Sequence, residues 1–162
     1  ETLEQMQDRG PAALAMAARQ HLKVHPHDPR ALRQLADALA MQNDHAGETA
    51  ALVGLLDAVP EEEQPEVLRR ICDSGGAGAL TTLRRTLLAE RFKETDPECA
   101  IQILATVVSS QVDDPQRPEA ILALAGLERS REPERAARLL QELQEAYPLH
   151  PTVELARKRG WI

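Results

Sequence analysis

Arg117–Pro148, RPEAILALAGLERSREPERAARLLQELQEAYP, reads as two antiparallel helices joined at Ser130–Glu132. Its first half places Ile121, Leu124, Ala125 and Leu127 at the three-and-four spacing of an amphipathic helix, and its second half does the same with Ala136, Leu139, Leu140 and Leu143. Pro133 suits a helix start, where a missing N–H costs nothing, and Pro148 forbids continuation. A pair this small cannot bury both apolar stripes by itself. It needs neighbours built like it, which makes stacked helix pairs the expected architecture.

The same grammar extends outward in both directions. Pro11–Val24 forms a long helix with Leu14, Ala18 and Leu22 inward, ending at HPHDP; Asp28 then caps Pro29–Gln42, whose Leu32, Leu35, Ala36 and Leu39 share a face. Asn43–Asp44–His45 turns the chain into Ala46–Val59, with Leu52, Leu55 and Leu56 inward, and Pro60 closes it. Glu61–Gln64 reads as an acidic, solvated helix start ahead of a short helix Pro65–Asp73. Ala79–Lys93 carries Leu83, Leu87, Leu88 and Phe92; Asp96 caps Pro97–Ser110, with Ala100, Ile101, Leu104 and Val108; Gln111–Arg117 is a polar loop. Thr152–Arg159, led by Pro151, reads as a terminal cap, while Thr2–Asp8 reads as the remnant of a helix cut short. The fold class is therefore all-α, with about seven to nine helices.

Composition narrows the functional classes. A length of 162 residues suits one domain with a real core, carried here by Ala, Leu and Val, because aromatics are reduced to Phe92, Tyr147 and Trp161. A net charge of −7 argues against a broad nucleic-acid or anionic-membrane surface, although it leaves room for local basic patches. No run approaches the roughly 20 apolar residues of a membrane span, so direct membrane insertion is not expected. The chain opens at Glu1 rather than Met and reads as a fragment of something longer or a processed form, which leaves localisation open. Cys72 and Cys99 fall in separate helices with apolar neighbours and read as buried free thiols.

Two features invite chemistry. Ser74–Gly78, SGGAG, resembles a phosphate loop only in its glycines: a helix precedes it and Ala79–Leu80 follow, so a helix cap and tight corner is the reading. His21 and His25 stand at i and i+4, beside His27 and Asp28, which is ligand spacing; a polar helix exit accounts for them equally well. The serines sit at helix ends and loops and select no triad, and acidic pairs such as Glu61–Glu63 and Asp113–Asp114 read as solvated linkers. No catalytic residue, metal or cofactor is expected.

The chain also matches itself. Pro97–Leu104 lies over Pro133–Leu140 at an offset of 36 residues, and Leu88–Ala89 falls on Leu124–Ala125 at the same offset. At this point the sequence resembles the tetratricopeptide repeat, a helix-turn-helix unit of about 34 residues. Pro29–Pro60 carries the resemblance furthest: Leu35-Ala36 stand at the family's Leu-Gly or Leu-Ala pair, Leu39 at its Tyr, Leu52 at a large apolar position and Pro60 at the closing proline. Ala89 and Phe92 in a second copy, and Ala125, Ala136, Leu140 and Pro148 in a third, sit close to the same positions, whereas Leu32 takes the family Trp position and Glu48 a small-residue one.

The resemblance implies a right-handed solenoid of pairs at about 29–60, 79–110 and 117–148, whose first helices line a concave groove for peptide segments or helices of other proteins. Carried over by position, the groove residues are Arg30, Arg33, Asp37 and Met41 in the first copy, Thr86, Glu90 and Lys93 in the second, and Glu119, Gly126 and Arg129 in the third. Arg33 and Asp37 replace the Lys and Asn with which chaperone-binding members grip a terminal carboxylate, so that clamp is not implied. Arg30 and Arg33 are neighbours on one turn and read either as an attractor for acidic partner segments or as solvated side chains pairing with Asp37 or Glu48. The function expected is a non-catalytic protein–protein scaffold. Two other readings stand beside it: a self-associating module, favoured if Pro11–Val24 exposes Leu14 and Ala18, and a regulatory domain of a larger enzyme.

Overall fold

Helix starts are set by short polar side chains and by prolines. Asp28 accepts from the Arg30 N–H (3.0 Å), Asp44 from Gly47 (2.9 Å), Thr81 from Arg84 (3.2 Å) and Asp96 from Cys99 (3.1 Å), each satisfying a donor that the first turn leaves open. The computed structural model describes residues 10–162, so the reading of Thr2–Asp8 as a helix remnant lies outside it. Among the described residues the fold is all-α, with nine α-helices and no strand. They are α1 (Pro11–Val24), α2 (Pro29–Met41), α3 (His45–Ala58), α4 (Gln64–Ser74), α5 (Thr82–Phe92), α6 (Pro97–Val108), α7 (Arg117–Glu128), α8 (Pro133–Ala146) and α9 (Pro151–Lys158). Short 3₁₀ turns span Glu61–Glu63 and Gly76–Ala79.

The chain divides into two compact units, one ending at Leu80 and the other running from Thr81 to Ile162. In the first, α2 packs against both α1 and α3, and α4 and the Gly76–Ala79 turn pack on α3. Its core holds Leu39, Leu52, Leu55, Leu56, Leu68 and Ile71, all essentially removed from water. Leu14 and Ala18 are buried here too, against the reading in which α1 exposes them, because α2 covers that face of α1. Apolar residues on other sides of α1, Met16 and Val24, are the exposed ones.

In the second unit consecutive helices pack in series, α5 on α6, α6 on α7 and α7 on α8, with α9 touching α7 and α8. Ile103, Leu104, Val107, Ile121, Leu124 and Leu143 form the centre. Two expected stripes shift. Leu83 and Leu87 are exposed (50% and 60%) rather than buried, because Ala89 and Phe92 set the inward face of α5; Leu83 lies nine residues from Phe92, about two and a half turns, and so on the opposite side. On α6, Ile103 and Val107 are buried whereas Ile101 and Val108 are half-covered, and on α7 Leu122 is buried in place of Leu127. Cys72 and Cys99 are also corrected: both are disulfide-bonded, and neither is a free thiol.

The glycine-rich stretch closes α4. Gly75 takes φ 71°, the left-handed conformation that favours glycine at a helix end, and donates to the Cys72 carbonyl. Gly76 is required by close approach: a Cβ there would stand 2.0 Å from Thr49 Oγ1 and 2.4 Å from the His45 carbonyl oxygen, which is backbone. Gly78 faces open space. Gly76→Ala should therefore destabilise the protein by roughly 1–3 kcal/mol, as overpacking does, while Gly78→Ala should change little; equal midpoints for the two variants in urea unfolding would contradict this packing.

A second outcome concerns acid. His21 on α1 lies 2.6 Å from Asp28, the cap of α2, and that hydrogen bond, aided by the Arg30 and Ala31 N–H groups, holds the Asp28 carboxyl below its ordinary value of 3.8. A depressed carboxyl contributes stability that is complete above its unfolded value and lost as pH falls through the folded one. The melting temperature of wild type should thus fall more steeply than that of Asp28→Asn below pH 3.8; parallel curves would remove the pair from the account.

Candidate functional site

The second unit contains a concavity of about 730 Å³ formed by α5 and α7, with contributions from α6 and the end of the chain. Its apolar lining includes Leu87, Leu104, Leu122, Leu127, Leu155 and Trp161, and its polar lining Thr86, Glu90, Lys93, Glu94, Glu119 and Arg159. The lining thus combines an apolar floor with a few polar groups. Leu87 and Leu155 keep 60% and 39% of their surface exposed while lining it. Apolar side chains on one concave face hold surface that a partner could remove from water.

Trp161 gives this face its shape. Two guanidiniums lie over its ring, Arg129 with Cζ 4.9 Å from the ring centroid and Arg159 at 5.1 Å. The ring packs on α7 at Gly126, where a Cβ would come within 2.9 Å of the indole edge. A glycine inside a helix costs about 1 kcal/mol relative to alanine, and the close approach of Trp161 supplies its reason. The turn from α9 to Trp161 is closed by Gly160 and by the Trp161 N–H donating to the Ala156 carbonyl (2.9 Å).

The α6–α7 side of this unit is fixed by an arginine. Arg117, buried at 7% exposure, donates from Nε to the Val108 carbonyl (2.9 Å), from Nη1 to Tyr147 Oη (3.1 Å) and from Nη2 to Glu142. Tyr147 Oη in turn donates to the Val112 carbonyl (2.5 Å). Burial alone would loosen the Arg117 proton, but the Tyr147 and Glu142 hydrogen bonds outweigh it and raise the pKa above the ordinary arginine value. These bonds tie the loop between α6 and α7 to the end of α8. Glu119, two residues after Arg117, is thereby carried on an anchored first turn of α7.

Of the residues assigned from sequence, Thr86, Glu90, Lys93, Glu119 and Gly126 are brought together on this concave face, and Arg129 joins them through Trp161. Lys93 is engaged with Glu90 (2.7 Å). Arg30, Arg33, Asp37 and Met41 lie on α2 in the first unit. There Asp37 is bound by Arg70 Nη1 (2.6 Å), whose Nε reaches the buried Glu48 (3.3 Å), so α4 supplies the partner of both carboxylates. Met41, 68% exposed, ends α2. His21 is taken up by Asp28, and no group of three His, Cys, Asp or Glu among the described residues is arranged to hold a metal.

Trp161 and Glu94 were not assigned to the groove from sequence, Leu87 was expected on the inward stripe of its helix, and Leu155 and Arg159 were expected in the terminal cap. For Trp161 the signal was the helix-interior glycine at 126, which needed a large neighbour to explain it. Gly126→Ala should displace the indole, shifting the emission of the chain's single tryptophan to the red. Overpacking of roughly 1–3 kcal/mol and a helix-propensity gain of about 1 kcal/mol oppose each other, so stability should move little; an unchanged spectrum would mean that Trp161 does not pack on Gly126. No protein-family model matches the chain, and no curated protein aligns with it significantly.

Proposed function

We propose that the protein is a non-catalytic interaction scaffold that binds a peptide segment or helix of another protein on the concave face of Thr81–Ile162. The observation that carries this reading is the concavity itself, where the residues assigned independently from the repeat resemblance, Thr86, Glu90, Lys93, Glu119 and Gly126, line one apolar-floored depression. The self-match at 36 residues supports a tetratricopeptide-like origin for the pairs α5–α6 and α7–α8, since both second helices open on the matched prolines, Pro97 and Pro133. The burial of Leu14 and Ala18 removes the feature that favoured self-association through α1.

Trp161 makes the test direct. Peptides selected by display against the whole chain should shift Trp161 emission on titration and compete with one another for a single site. Leu87→Glu, a substitution at a position already exposed in the free protein, should keep the helical circular dichroism and weaken that binding by roughly tenfold or more, as loss of a buried anchor does. Selected peptides that bind without moving Trp161 emission, and bind Leu87→Glu as well as wild type, would place recognition on another surface.

A further inference from the structure

We propose that the segment seated on this face is an amphipathic helix of near-zero net charge whose charges are sorted along its length, acidic at the end that reaches Trp161 and basic at the end that reaches Glu119. The inference rests on the concave-face reading above and adds the chemistry of the occupant. As a whole the face is balanced: Lys93 is spent on Glu90 at 2.7 Å, and Glu94 and Glu119 stand against Arg129 and Arg159. What it does show is an order. The hydroxyl of Thr82, the first residue of α5, donates to Asp114, just before α7, at 3.2 Å, so the two helices that form the face start side by side. Glu119, in the first turn of α7, belongs to that starting end. Trp161 packs on Gly126, seven residues and so roughly 10 Å further along α7, and Arg129 and Arg159 lie over its ring there. Glu94, just past the end of α5, is the one carboxylate at this far end not taken up by Lys93, against two guanidiniums.

The two arginines keep their charge on the indole. With Cζ atoms 4.9 and 5.1 Å from one ring centroid, they lie within the screening length of about 10 Å at 0.1 M salt and act on an incoming group together. Contact with a ring face neutralises neither, and the N–H donors of a guanidinium lie in its own plane, where they match a carboxylate. Among the described residues neither arginine forms an ion pair, and neither does Glu119. An amphipathic helix that lays its residues at i, i+3, i+4 and i+7 on Leu87, Leu122 and Leu155 keeps its other positions for the rim. Those positions meet unengaged cations at one end of the face and an unengaged anion at the other. Sorted charge complements both ends, whereas charge mixed along the helix meets like charge at each. The order of charge thus selects among amphipathic partners that the apolar floor and a neutral total would accept equally.

Two labelled synthetic peptides of about 14 residues, roughly 21 Å of helix, test this by fluorescence anisotropy of the label, a readout independent of Trp161. They share one leucine pattern, one composition and zero net charge. One carries Glu in its first half and Lys in its second, the order a helix favours, and the other alternates them. The sorted peptide should bind roughly fivefold more tightly at low ionic strength, and salt should narrow the gap. Arg129→Gln combined with Arg159→Gln should remove most of the gap; the helicity of each peptide is the same against either protein, so that loss belongs to the arginines. Glu119→Gln, at an exposed position, should narrow the gap from the other end. Leu87→Glu should weaken both peptides. Equal binding of the two peptides, both weakened by Leu87→Glu, or a gap that both the arginine variant and Glu119→Gln leave intact, overturns the charge order while leaving the concave-face reading standing. Binding indifferent to Leu87→Glu, or no binding of either peptide, overturns the two together.

Discussion

Among the described residues no helix is long enough to hold itself together. The described helices run from 8 to 14 residues, a length at which an isolated helix in water is marginal even with good helix formers. Their order comes from removing Leu and Ala stripes from water against the next helix, at about 25 cal/mol per Å² of apolar surface. That constraint explains the composition. With almost no aromatics to fill gaps, the chain uses alanine at contact positions such as Ala18, Ala36, Ala100, Ala125 and Ala136, so that helices approach closely while leucine supplies the buried area.

Close approach also explains where glycine is spent. Gly76 lets a turn sit on the first residues of α3, and Gly126 lets an indole sit on α7. Both are contacts a methyl group would block. Polar anchoring follows a related logic: Arg117 and Glu48 are buried and therefore must be paired, Arg117 with Val108, Tyr147 and Glu142, and Glu48 with Arg70 and His45. Arg117 and the Glu48–Arg70 pair fix a helix to its neighbour at a set point, which leucine packing, being non-directional, does less well.

The concave face of Thr81–Ile162 is where those contacts leave apolar surface uncovered. α5 buries Ala89 and Phe92 and so turns Leu83 and Leu87 outward, and the end of the chain contributes Trp161 and Leu155 to the same region. Under the proposed function, that leftover surface is the recognition surface.

Sequence by itself determined the helices and most of the core. The caps at Asp28 and Asp96, the prolines at helix starts and the glycine at 75 are local signals, because each acts through backbone groups within one turn. The three-and-four spacing likewise identified Leu39, Leu52, Leu104, Leu124 and Leu140 as buried. Thr86, Glu90, Lys93 and Glu119 came from the tetratricopeptide resemblance rather than from spacing or any chemistry of their own, in one set with Arg30, Arg33, Asp37 and Met41, which lie on α2 in the other unit. What only the tertiary structure decided were contacts between distant residues. Arg70 reaching Asp37 across 33 residues, Arg117 reaching Tyr147 across 30, and Trp161 settling on Gly126 have no local periodicity to announce them. The orientation of α5 belongs to both classes: its four large apolar residues cover too much of the helix to share one face, and only the packed neighbours chose Phe92 over Leu83. Helical stripes state that a face is apolar; which part of it is covered depends on what arrives to cover it.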